Sequence, residues 1–152
     1  MSLTLFLAAC GDPPPAPDVR YTLLDGRQAR LSDLRGRVVL VNFWSTDCVP
    51  CVQEMPALVQ TWKRYAPRGF ETVAVSTRAD PPVAVIGFAA SRELPFSVTM
   101  DQTGAIAQGF GDVAYTPTSV LIDRRGRIVA RWIGASDFKK LDASIERLLQ
   151  ES

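Results

Sequence analysis

Two cysteines, Cys48 and Cys51, carry the clearest chemical signal in the sequence. They stand three positions apart in the stretch WSTDCVPC, directly after an apolar run. If a helix begins at Cys48, its thiolate lies near unpaired backbone N–H groups and the positive end of the helix dipole, both of which stabilise it. Such a thiolate attacks a partner's disulfide, and a second cysteine one turn along resolves the mixed disulfide. The spacing predicts a redox-active dithiol.

Two other uses of a Cys-x-x-Cys pair fit the sequence less well. The chain has three cysteines and no histidine, which leaves too few ligands for an ordinary zinc site and removes the commonest general base. A purely structural disulfide across so short a loop would restrict the unfolded chain little. We therefore expect redox chemistry with no metal, and with no cofactor other than the Cys48–Cys51 disulfide itself.

The third cysteine, Cys10, follows the apolar segment MSLTLFLAA. That segment is far shorter than the roughly 20 apolar residues that span a bilayer as a helix. Its order of apolar core, small residues and cysteine resembles the lipobox of bacterial lipoprotein signal peptides, so we expect a lipid on Cys10 that anchors the protein to a membrane. No Lys or Arg precedes Cys10, unlike the start of most such signals. The alternative is a disordered tail with a stray thiol.

The next eight residues, GDPPPAPD, include four prolines and favour an extended spacer. We therefore expect a signal remnant and tether over residues 1–18 and one folded domain over residues 19–152. A length of 152 residues with 47% apolar content suits a single globular domain. The net charge of +1 predicts no general attraction to nucleic acid, and we expect a monomer.

The residues around the dithiol indicate a buried strand followed by a helix. RVVLVNFW is an almost continuous apolar run rich in valine, which is typical of a strand buried on both faces. Apolar residues then recur at helical spacing over residues 49–65, with Pro56 inside the helix. Before this unit we expect two short strands around the Asp25–Gly26 turn and one helical turn capped by Ser32 and ended by Gly36.

The second half of the chain continues the alternation of strands and helices. The expected elements are the strand GFETVAVST, the helix PPVAVIGFAASREL, the strand PFSVTMD, the short helix TGAIAQGF, the hairpin TSVLID and RIVARWIG, and a closing amphipathic helix capped by Ser136. This order gives an α/β domain with a mixed sheet covered by helices. A Cys-x-x-Cys where the first buried strand meets its helix points to a thioredoxin-like fold.

Several separated motifs resemble the TlpA/ResA branch of bacterial thioredoxin-like thiol-disulfide oxidoreductases. They are Asn-Phe-Trp before the dithiol, Glu-Met-Pro after it, an additional segment between two central strands, and Thr-Pro-Thr before a strand that ends in Asp. The resemblance runs from about Val19 to the C-terminus. It implies a central mixed sheet flanked by helices, with an N-terminal strand extension and a central helical insertion.

The resemblance also assigns roles to residues of this chain. It implies that Cys48 is the nucleophile, Cys51 the resolving cysteine and Glu54 a proton donor or acceptor for Cys51. Pro117 matches the family's cis-proline beside the dithiol, and Thr116 offers backbone groups that pair with a substrate chain.

Five further positions lie in or near the expected site. Trp44, Val49 and Pro50 are predicted to contact substrate, although a tryptophan at a strand end is equally often part of a core. Asp47 stands where relatives usually have a second tryptophan. A carboxylate there should raise the pKa of Cys48, while its own interaction with the positive end of the same helix is favourable, and the sequence leaves open which of these opposing effects is larger. Asn42 occupies the place of the buried aspartate of thioredoxin and cannot act as a base.

The function that the resemblance implies is a periplasm-facing oxidoreductase, held at the cell envelope, that reduces disulfides in partner proteins. Its expected partners are protein disulfides or dithiols and a membrane electron donor. Two alternatives remain open at this stage. Ser45, a hydroxyl residue three positions before Cys48, also fits a thiol peroxidase. A tethered module that binds partners or senses redox state without catalysis is the other.

Overall fold

The computed structural model describes residues 11–151 of the chain. Seven strands and four α-helices form the described part, with a 3₁₀ turn at Leu31–Leu34 and another at Ala66–Arg68. The elements are β1 (Arg20–Thr22), β2 (Gln28–Arg30), β3 (Val38–Trp44), α1 (Val49–Tyr65), β4 (Phe70–Ser76), α2 (Pro82–Ser91), β5 (Ser97–Met100), α3 (Ala105–Gly109), β6 (Thr118–Ile122), β7 (Ile128–Ile133) and α4 (Phe138–Gln150).

Strands β3 to β7 form one mixed sheet in the order β5-β4-β3-β6-β7. Strand β3 lies at the centre, and all seven of its residues are buried, as its continuous apolar run predicts. It pairs in parallel with β4 and antiparallel with β6, while β5 is parallel to β4 and β7 antiparallel to β6. The predicted thioredoxin-like α/β fold with a mixed central sheet is confirmed.

Helices cover the two faces of this sheet in separate layers. Residues of α1, α2 and α4 pack on one face, in the larger of two hydrophobic clusters, around Leu58, Val85 and Ile145. The second cluster, on the other face, includes Ile106 of α3 and Tyr21 of β1. Both faces of β3 are therefore shielded, and the loop after β3 starts from a rigid position.

Helix α1 runs without interruption through Pro56, although proline cannot donate the hydrogen bond that a helical interior expects. Leu58 and Tyr65 are buried on the side of α1 that faces the sheet. Burial of this face stabilises the helix despite the missing N–H group at Pro56.

Two capping predictions were wrong. Ser136 does not cap α4; Asp137 does, because its carboxylate accepts a hydrogen bond from the backbone N–H of Lys140 at 3.2 Å. Ser32 lies inside the 3₁₀ turn and does not precede it. Asp33 instead closes that turn by accepting from the Arg30 N–H at 2.9 Å.

The proline-rich segment is extended, as its composition predicts, but part of it contacts the domain. Pro15 forms a bridge with Arg127 in the β6–β7 turn. The Ala16 N–H donates to the Gly126 carbonyl at 2.8 Å, and the Ile128 N–H donates to the Pro14 carbonyl at 2.8 Å. Residues 14–16 thus continue the edge of the sheet and are not a free spacer, while the boundary near Asp18 stays a prediction. None of the helices within residues 11–151 is long and apolar enough to cross a bilayer.

Candidate active site

The dithiol lies at the junction between the central strand β3 and the helix α1 that follows it. Strand β3 ends at Trp44, and α1 begins at Val49 with Cys48 as its N-cap residue. Cys48 and Cys51 form a disulfide with their Cα atoms 5.2 Å apart. Because β3, β4 and β5 are parallel, the loops at their carboxyl ends lie at the same edge of the sheet as this disulfide.

The two sulfurs have different access to solvent. Cys51 is only 1% exposed, whereas Cys48 is partly exposed. The Cys51 backbone N–H points at the Cys48 sulfur, with an N–Sγ distance of 3.3 Å. A thiolate formed at Cys48 would therefore find a donor and the positive end of α1 already in place, so Cys48 is the sulfur suited to attack and Cys51 the one suited to resolve.

Val49 and Pro50, the residues between the cysteines, are both exposed. Pro50 occupies the first turn of α1, where an N–H group would have no intrahelical partner. Both side chains are exposed directly after Cys48 in the chain, and their contact with substrate stays a prediction.

Glu54 is buried one turn of α1 beyond Cys51. One carboxylate oxygen, Oε1, accepts from Asn42 Nδ2 at 3.3 Å, and Oε2 accepts from the Ser136 backbone N–H at 3.0 Å. Burial raises the pKa of Glu54 above the value of a free glutamate, and these two hydrogen bonds limit the rise. A carboxyl group in this setting can hold a proton at a pH where a surface glutamate has lost it.

The Glu54 network includes residues that the sequence did not indicate. Asn42 Nδ2 also donates to Ser119 Oγ at 3.0 Å, and Ser119 Oγ lies 3.4 Å from Ser136 Oγ. These groups come from β3, β6 and the segment before α4. Within the described residues, Asn42 Oδ1 is buried without a partner. The only sequence signal for Ser119 was a hydroxyl residue directly before the apolar run Val120–Ile122 of β6.

Asp47 and Ser45 bond to each other in the loop before Cys48. The Ser45 hydroxyl donates to Asp47 Oδ1 at 2.6 Å, and Asp47 is exposed to solvent. The Ser45 hydroxyl is thus engaged by a neighbouring carboxylate. Asp47 sits next to the nucleophile in sequence, as its predicted influence on Cys48 requires.

Asp80 also holds this loop and was missed by sequence reasoning. Its carboxylate accepts from the Thr46 N–H at 2.8 Å and from the Thr46 hydroxyl. Asp80 is buried and lies in the connection between β4 and α2, directly before Pro81. An aspartate before two prolines was the available signal, but it reads equally well as an ordinary turn.

The bond between Thr116 and Pro117 is cis, the isomer that the resemblance implies. Phe43 of β3 pairs with Thr118, the first residue of β6, so the antiparallel register brings Pro117 level with Trp44 at the end of β3. Tyr115, just before this bond, is exposed. Thr116 and Pro117 therefore lie at the edge of the sheet that carries the dithiol.

Trp44 does not line this surface. Its side chain is fully buried and packs against Phe88 of α2, with ring centroids 5.1 Å apart. A substrate cannot touch it in this structure, so its predicted place in the groove is corrected to a place in the core. The apolar strand β3 continues to its last residue, which explains the burial.

Two predictions about ligands concern residues or groups that the structure does not describe. Cys10 lies outside the described residues. Among residues 11–151, no group of three or more cysteine, aspartate or glutamate side chains is placed to hold a metal ion. The expectation of chemistry without metal or added cofactor stays a prediction.

Comparison with known proteins gives a consistent result. The model of the redoxin family matches residues 11–145 of the chain. The chain belongs to the redoxin family. Among its relatives in that comparison is the thiol-disulfide oxidoreductase ResA of Bacillus cereus, which is 34% identical over 133 residues covering 88% of this chain and 76% of that protein.

Two further matches extend this result. The thioredoxin-like protein YneN of Bacillus subtilis is 34% identical over 86% of this chain and 76% of its own length. The crystal structure of a thiol:disulfide interchange protein from Chlorobium tepidum superposes with a TM-score of 0.84 at 28% identity, covering 93% of this chain and 99% of that chain. This redoxin-family member is a thiol-disulfide oxidoreductase, and its Cys48–Cys51 pair is the redox-active dithiol.

Proposed function

We propose that this protein reduces disulfides of partner proteins on the outer side of the cytoplasmic membrane, with Cys48 as nucleophile and Cys51 as resolving thiol. The observation that carries the proposal is the unequal access of the two sulfurs at the start of α1, with the Cys51 N–H directed at the Cys48 sulfur. An exposed, stabilised thiolate beside a buried thiol is the arrangement that disulfide exchange requires.

In the proposed reaction, the Cys48 thiolate attacks one sulfur of the client disulfide. A mixed disulfide forms and the client's other sulfur leaves as a thiolate. Cys51 then loses its proton, with Glu54 as the acceptor, and attacks the Cys48 sulfur, which releases the second client thiolate. The client gains two electrons, the protein ends with the Cys48–Cys51 disulfide, and a separate membrane donor must return two electrons before the next cycle.

The proposed location rests on the N-terminal sequence. A lipid on Cys10 would hold the protein at the cell envelope, an environment in which disulfides form and need reduction. Pro15 pairs with Arg127 in the β6–β7 turn, and this turn lies at the opposite end of the sheet from Cys48. A tether that leaves from that turn would keep the dithiol away from the membrane and open to clients.

Insulin reduction driven by dithiothreitol tests the activity. We expect the wild-type protein to accelerate insulin precipitation and the C48S variant to lose that acceleration. Added as pre-reduced protein to insulin without dithiothreitol, C51S should stop after one equivalent as a trapped mixed disulfide. C10S removes the remaining thiol and is the matched control, with unchanged turnover. If the wild type consumes hydrogen peroxide and C51S consumes it at the same rate, the protein would instead be a thiol peroxidase.

The reduction potential of the dithiol, measured against a glutathione or dithiothreitol series, tests the direction of electron flow. A value near the roughly −270 mV of thioredoxin or lower supports a reductase. A value near the roughly −120 mV of strong periplasmic oxidants would make the protein a disulfide donor.

A further inference from the structure

The exposed large hydrophobic side chains of the described chain all lie at one end of the molecule. Val49 follows Cys48, Tyr115 precedes the cis bond, and Ile133 ends β7 opposite the first residue of β6. Val83 and Ile86 lie at the start of α2, after the carboxyl end of β4. Large exposed apolar residues that share one end of a molecule indicate an interaction site.

Helix α2 is unusual for a helix that faces solvent. Its ten residues, PVAVIGFAAS, include no charged side chain. One side of the helix is packed on the core through Val85 and Phe88. The opposite side carries Val83, which is 80% exposed, and Ile86, which is 49% exposed. A helix with no polar face normally has both sides covered, but within residues 11–151 the second side of α2 stays exposed.

The start of α2 is fixed beside the dithiol loop. Asp80, three residues before Val83, accepts both hydrogen bonds from Thr46, two residues before Cys48. The contact of Phe88 with Trp44 ties the next turn of α2 to the strand that leads into the same loop. The exposed side of α2 is therefore a rigid continuation of the surface around Cys48.

We infer that the exposed side of α2, defined by Val83 and Ile86, is the second half of the client-binding surface and selects clients with apolar residues flanking their disulfide. The inference rests on the proposed function. A client whose sulfur reaches Cys48 must cover the neighbouring surface, and Val49 and Tyr115 offer it apolar contact on the other side of the dithiol. The uncharged helix extends that contact, and burial of its side chains would add affinity that thiol exchange alone does not provide.

Kinetics with two disulfide-bridged peptides test the inference. The peptides share their cystine loop and differ in the six residues on each side, which are apolar in one and a neutral mixture of Glu, Lys and Ser in the other. We expect V83S/I86S to raise KM for the apolar peptide about ten-fold with unchanged kcat. The kinetics of V83S/I86S with the Glu/Lys/Ser peptide and with the small disulfide 5,5′-dithiobis(2-nitrobenzoate) should equal those of the wild type. A143S, on the exposed side of α4, is the matched control.

The outcomes separate this inference from the proposed function. If the wild type reduces neither peptide, the proposed function fails. If it reduces both equally well and V83S/I86S changes neither KM, only the inference is overturned. Sedimentation of the wild type as a dimer that V83S/I86S dissociates would assign the surface to a second copy, and binding to neutral phosphatidylcholine vesicles lost in the variant would assign it to lipid. Either result also overturns the inference.

Discussion

Glu54 combines burial with two fixed donors, and its charge state should respond to pH in a way that no surface glutamate would. Burial raises the pKa of Glu54, so the folded protein keeps this proton to a higher pH than the unfolded chain does. The folded state then binds more protons than the unfolded state above the ordinary glutamate pKa of 4.5. Stability from this group is present at low pH and is lost as pH rises through the folded pKa.

We expect E54Q to remove this pH dependence. The glutamine has no proton to lose. The free energy of unfolding of E54Q, relative to that of the wild type, should therefore rise between pH 4 and pH 8. Urea unfolding of both oxidised proteins across this range measures the difference. Parallel stability curves would show that Glu54 does not titrate differently in the folded state.

A second substitution at the same position tests the hydrogen bonds. E54A leaves the Ser136 N–H without its acceptor and the Asn42 amide with Ser119 Oγ alone, which should cost about 1–3 kcal/mol of stability at low pH, where the Glu54 carboxyl stabilises the fold most. The turnover of E54A and E54Q should fall together at the step where Cys51 attacks. A loss in E54A alone would assign Glu54 a structural role and remove it from proton transfer.

At the scale of elements, the loop before α1 depends on the connection between β4 and α2. Asp80 is the only bridge the structure provides, within the described residues, from that connection to a side chain and backbone N–H of Thr46. D80A should destabilise the protein by about 1–3 kcal/mol because the Thr46 N–H loses its buried acceptor. It should also alter the reduction potential, since Cys48 follows two residues later. Equilibration with glutathione measures that potential.

Asp123 provides the matched control for D80A. It is a buried aspartate that likewise holds a turn, through hydrogen bonds from the Arg125 and Arg127 backbone, but it lies at the opposite end of the sheet. D123A should therefore lose stability without a change in potential. An equal shift of potential in both variants would show that general loosening, and not the Thr46 contact, sets the redox properties.

The sequence predicted the elements well because their signals are local. Local patterns predicted these elements correctly: the apolar run of β3, the helical spacing of α1 and the turn residues of the β6–β7 hairpin. The contacts that tune the site are not local. Asp80 meets Thr46 across 34 positions, and Ser136 meets Glu54 across 82. Neither pair leaves a periodic pattern, so only the packed fold brings them together.

The caps and the buried tryptophan were mispredicted for related reasons. Ser136 and Asp137 are both good N-cap residues, and sequence alone does not choose between them. In the structure Asp137 accepts from the Lys140 N–H, and the Ser136 N–H donates to Glu54. Trp44 could have ended β3 in either the groove or the core, and in the structure it packs in the core against Phe88 of α2.

In the whole molecule, the dithiol and the N-terminal segment lie at opposite ends of the sheet. The dithiol and the exposed apolar residues share one end of the sheet, while residues 14–16 pair with the β6–β7 turn at the other. The segment that leads to Cys10 therefore starts far from the reacting sulfurs. An anchor at Cys10 would hold the molecule by the end that carries no chemistry.

This arrangement predicts the behaviour of the protein in a bacterial host that lipidates it. The wild type should partition into the detergent phase of Triton X-114, and C10S should move to the aqueous phase, because a lipid chain adds about 0.8 kcal/mol for each buried CH₂ group. Reduced Cys48 should react with a maleimide–polyethylene glycol reagent equally fast in membrane-bound wild type and in soluble C10S. Aqueous partition of the wild type would refute the anchor. Slow labelling only at the membrane would instead show that the dithiol faces the lipid surface, and the proposed orientation would have to be reversed.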